Sequence, residues 1–428
     1  MRKAGKRMLY IGAGIIVLTG LLYTGYQKFV DPRRDAVSAM KESISLTDTM
    51  TKAEAKEDLN YLMDKLRKFH PAWSDDTKNM TKQVEEQYQM ELTNLDDTMS
   101  MLELWQAASR IVHQMSDAHT RVSTSRLDGE YRYRVAEDGI TVSDMIAVNK
   151  EPMDEIKKRF LSLWPYELES YGIVRFEKYI VYQEYMELAG VDTTNGVDIT
   201  YRLDGEEVTK HYEAEIWKDE AKDFVSYQIN EAKNLGIFTL TSCKESSLYD
   251  ERLQQFFAEV KEKGITNIAV DLRENNGGWI PAVKEFLTYV DTDTYTYCNN
   301  LRTRMGMFWY KEKEQIQNEK KTDAFSGNIY VLTSAKTFSS AMDFAMVIMD
   351  NDLGTIIGEI PGNMPDSYTI NLKYQLPNSG LKLVVSGGEQ NRIDETKSGQ
   401  PLIPDYETEA DEALNKVYEL SEGEASHK

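Results

Sequence analysis

Apolar positions change their spacing from region to region along the chain, and each change predicts a different kind of element. From Thr51 to His70 and from Met80 to Glu91, apolar side chains recur every three or four residues among charges, the pattern of amphipathic helices. Thr98 to Met115 shows it more strongly, with Leu102, Trp105, Ala108, Ile111 and Val112 on one face. Ser116-Asp117-Ala118-His119-Thr120 ends that helix, and Arg121 to Thr124 reads as the start of a strand. From about 125 to 233 the pattern is mixed. Short strands are predicted at Gly139–Val142, Met145–Val148 and Val197–Leu203, the last running into an Asp204-Gly205 turn. Helical pieces lie near Met153–Leu163 and Phe176–Leu188, so this stretch reads as a small α+β module.

From Leu235 onward strand and helix alternate. Ile237–Leu240, Ile268–Leu272, Ile329–Thr333 and Thr355–Ile357 read as buried strands, with helices over Tyr249–Lys263, Trp279–Val290 and Ser340–Asp350 between them. Such alternation predicts a mostly parallel sheet covered by helices on its faces. A short Glu- and Ser-rich tail from Ser421 reads as disordered.

The N-terminus differs in kind. Arg2, Lys3, Lys6 and Arg7 precede an uncharged run from Met8 to Tyr26. As a helix that run spans roughly 28 Å, close to the hydrocarbon thickness of a bilayer. No small-x-small cleavage site follows it, so the expectation is an uncleaved, single-pass anchor with the bulk of the chain extracytoplasmic. The domain plan is therefore 1–30 anchor, 31–124 helical part, 125–234 α+β module, 235–420 α/β core and 421–428 tail.

Charge and cysteine content narrow the classes. A net charge of −21 argues against nucleic acid as a partner. Cys243 and Cys298 are too few for a disulfide framework, and no Cys/His spacing suggests a metal. His113 and His119 lack the His-Glu-x-x-His pattern of a metalloprotease.

Two strand-to-helix turns carry candidate chemistry. Thr333 to Ser340 passes from a buried strand through small hydroxyl residues into a helix. The plain reading is helix capping by Thr337, Ser339 or Ser340. The chemical reading is a nucleophilic serine exposed on a sharp turn. Ala269 to Gly278 runs from a buried strand into a turn ending in two glycines, where backbone N–H groups can approach a ligand. Acyl transfer needs two such donors at the developing oxyanion, and the two turns together offer them. A serine also needs a base. His119, at a helix-to-strand turn beside Asp117, is the best placed of the histidines.

The segments SDAHT, VDLRENNGG and LTSAKTFSSAMDF, followed by GTIIGE, YQLPNSGLKLVVS and Pro404-Asp405, occur in one order. In that order they resemble the C-terminal processing (tail-specific) peptidases and their tricorn-like relatives over roughly residues 50 to 415. The resemblance implies a serine peptidase with a crotonase-like (ClpP/crotonase) α/β catalytic domain and a helical N-terminal part. It also implies an inserted PDZ-like module, no metal or cofactor, and a peptide or protein substrate. Val142 to Pro152 resembles a PDZ pattern that lacks its glycine. The family register, nucleophile then Ala, a variable residue and an acid, fits Ser340-Ala341-Met342-Asp343. It selects Ser340, with Ser339 as fallback, and oxyanion donors from Ala341 and Gly277 or Gly278. Gly358 to Tyr368, where the better-known branch carries its catalytic lysine, contains none. The tricorn-like branch uses a histidine instead, which His119 supplies. An acid before the late Pro-Asp orients it, and Glu395 is chosen over Asp394 and Glu389. The rival reading is a catalytically silent relative that binds peptides or proteins at the membrane surface. An acyl-CoA enzyme of the same fold is disfavoured by the acidic charge.

Overall fold

The computed structural model describes residues 2–425 except 30, 32–34, 38, 75–78, 126–129, 204, 218–222, 306–307 and 313–314; the side chains of 2–11, 27–29, 217 and 423–425 also lie outside the described residues. The alternating half of the chain forms a six-stranded sheet. Its order is Val225–Asn230, Leu235–Leu240, Asn267–Asp271, Asn328–Thr333, Thr355–Gly358 and Tyr406–Glu407. All neighbours are parallel except the first pair. The strands are apolar on both faces because both faces are covered. Ile268, Val270, Ile329 and Val331 pack with Phe256, Phe286 and Phe344 of three helices, Ser247–Glu262, Ile280–Leu287 and Ser340–Asp350. Ala269, Tyr330, Leu332 and Ile357 face the opposite way, against Ala413 and Val417 of a helix over Ala413–Ala425.

That last helix occupies most of the expected disordered tail. Ser421 is buried within it, and only 426–428 lie outside the described residues. The edge strand Val225–Asn230 falls inside the expected 125–234 module but hydrogen-bonds along its length to Leu235–Leu240 of the core.

A second sheet was not predicted and is what brings the histidine in. It runs Phe308–Lys311, Asn299–Met305, Lys382–Asn391 and Ser367–Gln375, all antiparallel. The three-residue strand Arg121–Ser123, which begins two residues after His119, pairs with Lys382–Val384 of the same sheet. The helical part is anchored to this sheet by Asp58, fully buried on the helix Lys52–Phe69. Its carboxylate accepts from the N–H of Asn378 (2.8 Å) and of Ser379 (2.9 Å) in the turn between the two long strands. Helices Lys52–Phe69 and Met101–His113 each begin with a reciprocal capping box, Thr51 with Glu54 and Ser100 with Glu103.

The middle module has a four-stranded sheet, Glu151–Pro152, Met145–Val148, Val197–Leu203 and Glu206–Tyr212, and helices Met153–Leu161, Glu169–Tyr179 and Gln183–Leu188. The predicted strand at Gly139–Val142 is instead a link between two short 3-10 helices, Val135–Asp138 and Val142–Asp144. Asp204 of the expected hairpin turn lies outside the described residues, but Gly205 sits between the paired strands at φ 88°.

At the N-terminus a helix runs Arg2–Phe29, with Ile15, Ile16, Val17, Leu18, Leu21 and Leu22 exposed. Among the described residues no helix is long and apolar enough to cross a membrane. The expected span begins at Met8, among side chains outside the described residues.

Asp58→Ala leaves the buried N–H of Ser379 and the half-buried N–H of Asn378 without acceptors. It is expected to lower unfolding free energy by about 2–3 kcal/mol, read as a reduced urea midpoint at unchanged m-value.

Candidate active site

The serine turn is held by its own backbone and hydroxyls. Thr337 Oγ1 donates to Leu272 O (2.8 Å) and accepts from Ser334 N (2.9 Å). Phe338 N donates to Asn275 O (3.0 Å), and Ser339 N donates to Asn363 Oδ1 (2.7 Å). Ser339 stands at the N-cap position of helix Ser340–Asp350, yet its side chain makes no capping hydrogen bond. Its backbone lies at φ 56°, ψ −128°, outside the regions an L-residue occupies without strain.

That conformation decides which serine faces the histidine. Ser339 Oγ lies 3.0 Å from His119 Nε2. Ser340 Oγ, one residue on and already helical, turns under the glycine loop and donates to Gly278 O at 3.0 Å. The family register pointed to Ser340, but the geometry brings Ser339 to His119. The reason is the left-handed backbone at Ser339, which a reading by residue type does not reveal.

The glycine loop presses against this turn. A Cβ on Gly277 (φ 89°) would lie 2.6 Å from Phe338 O and 2.7 Å from Ser339 Cβ. One on Gly278 (φ 151°) would lie 2.0 Å from Cys243 O. Only glycine fits either position. Of the expected donors, Ala341 N–H is taken by Phe338 O (3.2 Å) and Gly277 N–H by Asn275 Oδ1 (2.8 Å). Gly278 N–H and Ser340 N–H, by contrast, donate no hydrogen bond among the described residues. The donor pair thus shifts with the serine, to the residue after Ser339 and to Gly278.

His119 is positioned by a buried network. Asp117 Oδ1 accepts from the His119 backbone N–H (2.9 Å). Asp117 Oδ2 accepts from Ser386 Oγ (2.7 Å) and lies 3.2 Å from His70 Nε2. His70 Nδ1 accepts from Ala72 N (3.1 Å), so Nε2 carries the proton toward Asp117. Burial alone would raise the Asp117 pKa; the close approach and attraction of the His119 ring, and the hydrogen bond and attraction of His70, outweigh it and hold the carboxyl well below the usual range. His70, which has no catalytic motif around it in the sequence, is therefore part of the site's support.

None of the expected orienting acids is there. Glu395 lies on an exposed 3-10 turn, Glu395–Lys397. Asp394 accepts from Thr396 Oγ1 (2.6 Å) and pairs with Lys397 (3.1 Å), while Glu389 is bound to Arg302 Nε (2.6 Å). The acids near His119 are Asp117, Glu167 and Asp343. Ligating atoms of Asp117, His119 and Glu167 lie within 4.8 Å of one another. They are the residues that could surround a cation, but Asp117 already accepts three hydrogen bonds, and we assign no metal. Asp343, buried one turn into the helix, accepts from Gln390 Nε2 (2.6 Å) and Tyr297 OH (3.2 Å). Burial raises its pKa to about 6.

A serine on a strained strand-to-helix turn, a histidine at hydrogen-bond distance and free N–H groups beside them define a serine hydrolase site on an α/β domain. Residues 234–408 match Peptidase family S41. That domain makes the chain a serine-type peptidase, in agreement with the resemblance read from its motifs. Solved structures agree in fold. Mature CPAF in complex with lactacystin is 12% identical with a TM-score of 0.60, over 87% of this chain and 97% of that one. The photosystem II D1 C-terminal processing protease is 12% identical with a TM-score of 0.50, over 85% and 96%. A putative peptidase from Parabacteroides merdae is 12% identical with a TM-score of 0.50, over 87% and 97%.

Asp343 gives a stability test. Its pKa is raised by folding, so the native state holds this proton more tightly than the unfolded chain. Stability is lost as pH rises from about 4 to about 6 and is level above that. The difference in unfolding free energy between the wild-type protein and Asp343→Asn is expected to change by about 3 kcal/mol across that window in urea titrations, with the wild-type falling.

Proposed function

We propose that the chain is an extracytoplasmic serine endopeptidase of the C-terminal processing type, held at the membrane by its N-terminal helix and acting on peptide or protein substrates. Ser339 is the nucleophile and His119 the base. The 3.0 Å approach of Ser339 Oγ to His119 Nε2 carries this reading. In the first step Ser339 Oγ bonds to the scissile carbonyl carbon and its proton passes to His119 Nε2. The oxyanion is met by the N–H groups of Ser340 and Gly278, in the roles expected of oxyanion donors. Collapse breaks the C–N bond, and the Nε2 proton leaves with the amine. Water then takes the same route to release the acyl group.

The assembled serine and histidine favour an active peptidase over a silent relative. The anchor rests on the uncharged run Met8–Tyr26 behind four basic residues and on the exposed apolar side chains from Ile15 to Leu22. The sheet and helices of the middle module are in keeping with a PDZ-like unit, although Asn149 and Lys150 hold positive φ where the pattern would place glycine.

Ser339→Ala is expected to abolish reaction with a fluorophosphonate probe, while Ser340→Ala keeps it within about tenfold of wild type, since it removes only one hydrogen bond to the glycine loop. Labelling lost in Ser340→Ala and kept in Ser339→Ala would reverse the assignment. Both variants should show the circular dichroism spectrum of the wild-type chain.

A further inference from the structure

His119 Nδ1 is buried and has no hydrogen-bond partner among the described residues. Yet for Nε2 to accept the Ser339 proton, Nδ1 must carry the ring hydrogen and needs an acceptor. Asp117 Oδ1 is 3.7 Å away, too far for a hydrogen bond, and is engaged by the His119 backbone. Glu167 Oε1 is likewise buried without a partner among the described residues, and a Glu167 carboxylate oxygen lies within 4.8 Å of a His119 ring nitrogen. Glu167 belongs to the segment that leads into helix Glu169–Tyr179 of the middle module. A buried donor and a buried acceptor left unpaired each carry a desolvation cost that pairing the two would relieve.

The segment around Glu167 is docked on the serine turn. Glu167 Oε2 accepts from Met364 N (2.7 Å), next to the Asn363 that holds Ser339 N. Tyr171 stacks on Phe338 at 4.2 Å and 2°, and Phe338 in turn lies 4.7 Å from the His119 ring. Tyr171 OH donates to Asn276 Oδ1 (2.8 Å), in the turn that carries the glycines. Two residues of the module, Glu167 and Tyr171, thus reach the nucleophile turn, the turn that carries the glycines and the histidine.

We infer that Glu167 is the positioning carboxylate of this site, holding His119 in the Nδ1–H tautomer, and that the middle module thereby completes a catalytic centre whose other parts lie outside it. The assignment rests on the peptidase reading above. The titratable groups that face Glu167 are Asp117 and His119 from the SDAHT turn, Asp343 from the helix after Ser339, and Tyr171 from its own helix. Burial and then the Asp117 charge raise the Glu167 pKa well above the usual range. Protonated, Glu167 would donate to Nδ1 and force the hydrogen onto Nε2, where it blocks the base. The imidazolium that forms during attack has the opposite effect and favours the carboxylate.

Fluorophosphonate labelling of the full chain tests this. Glu167→Gln is expected to lower the labelling rate constant by roughly 10³-fold or more, as loss of the correct tautomer does in a serine triad. Glu167→Asp should recover at least about tenfold of that loss, since a carboxylate is restored one methylene short. In the Ser339→Ala background, the proton resonance of His119 Nδ1–H should be present with Glu167 and absent with Gln. Wild-type labelling matched by Glu167→Gln, or an Nδ1–H resonance unchanged by it, overturns the assignment and leaves Asp117 as the orienting group. A wild-type chain that does not label would overturn the peptidase reading itself.

Discussion

The backbone conformation of Ser339 is the constraint on which the site depends. At φ 56° and ψ −128° the chain turns so sharply that Ser339 Oγ faces His119 while Ser340 enters the helix. The same turn leaves Ser340 N–H without an acceptor among the described residues. Such strain, of order 1–3 kcal/mol, persists only where surroundings over-determine it. Here Asn363 holds the Ser339 N–H, Asn275 O holds the residue before it, and Thr337 ties the turn to the neighbouring strand. Gly277 and Gly278 allow the second loop to close on it without a Cβ in the way.

The site is assembled from parts far apart in sequence. The parallel sheet delivers the serine turn and the glycine loop on adjacent strands, Asn328–Thr333 and Asn267–Asp271. The histidine comes from the helical part, and the pairing of Arg121–Ser123 with Lys382–Val384 fixes it there. Asp117 adds a second tie through Ser386 of the same long strand. The middle module reaches in with Glu167 and Tyr171. Each contribution is short, so a shift of any one part by an ångström would separate Ser339 from His119 or empty the space around Nδ1.

The sheet and its helices were legible because a parallel sheet covered on both faces writes unbroken apolar runs, such as Ile268–Leu272 and Ile329–Thr333. SDAHT and the glycine turn were legible because they stand at junctions of strand and helix and occur in one order with the serine turn. What escaped depends on backbone torsion or on contacts distant in sequence. The choice between Ser339 and Ser340 turns on one φ value that residue type does not encode. Glu167 carries no local motif, and its role follows from where the module docks. The long strands Ser367–Gln375 and Lys382–Asn391 are interrupted by glycines, a positive φ at Ile370 and polar positions, which blurred their alternation. The tail at 421–425 looked disordered by composition, but Ser421 is buried in a helix that covers the sheet.

The central claim is that Ser339 is the residue that attacks. Tandem mass spectrometry of the wild-type chain after reaction with a fluorophosphonate tests it most directly, by locating the phosphonyl group within the peptide spanning Thr337 to Asp343. The account predicts the adduct on Ser339. An adduct on Ser340, or an unmodified peptide from a folded chain, would contradict it.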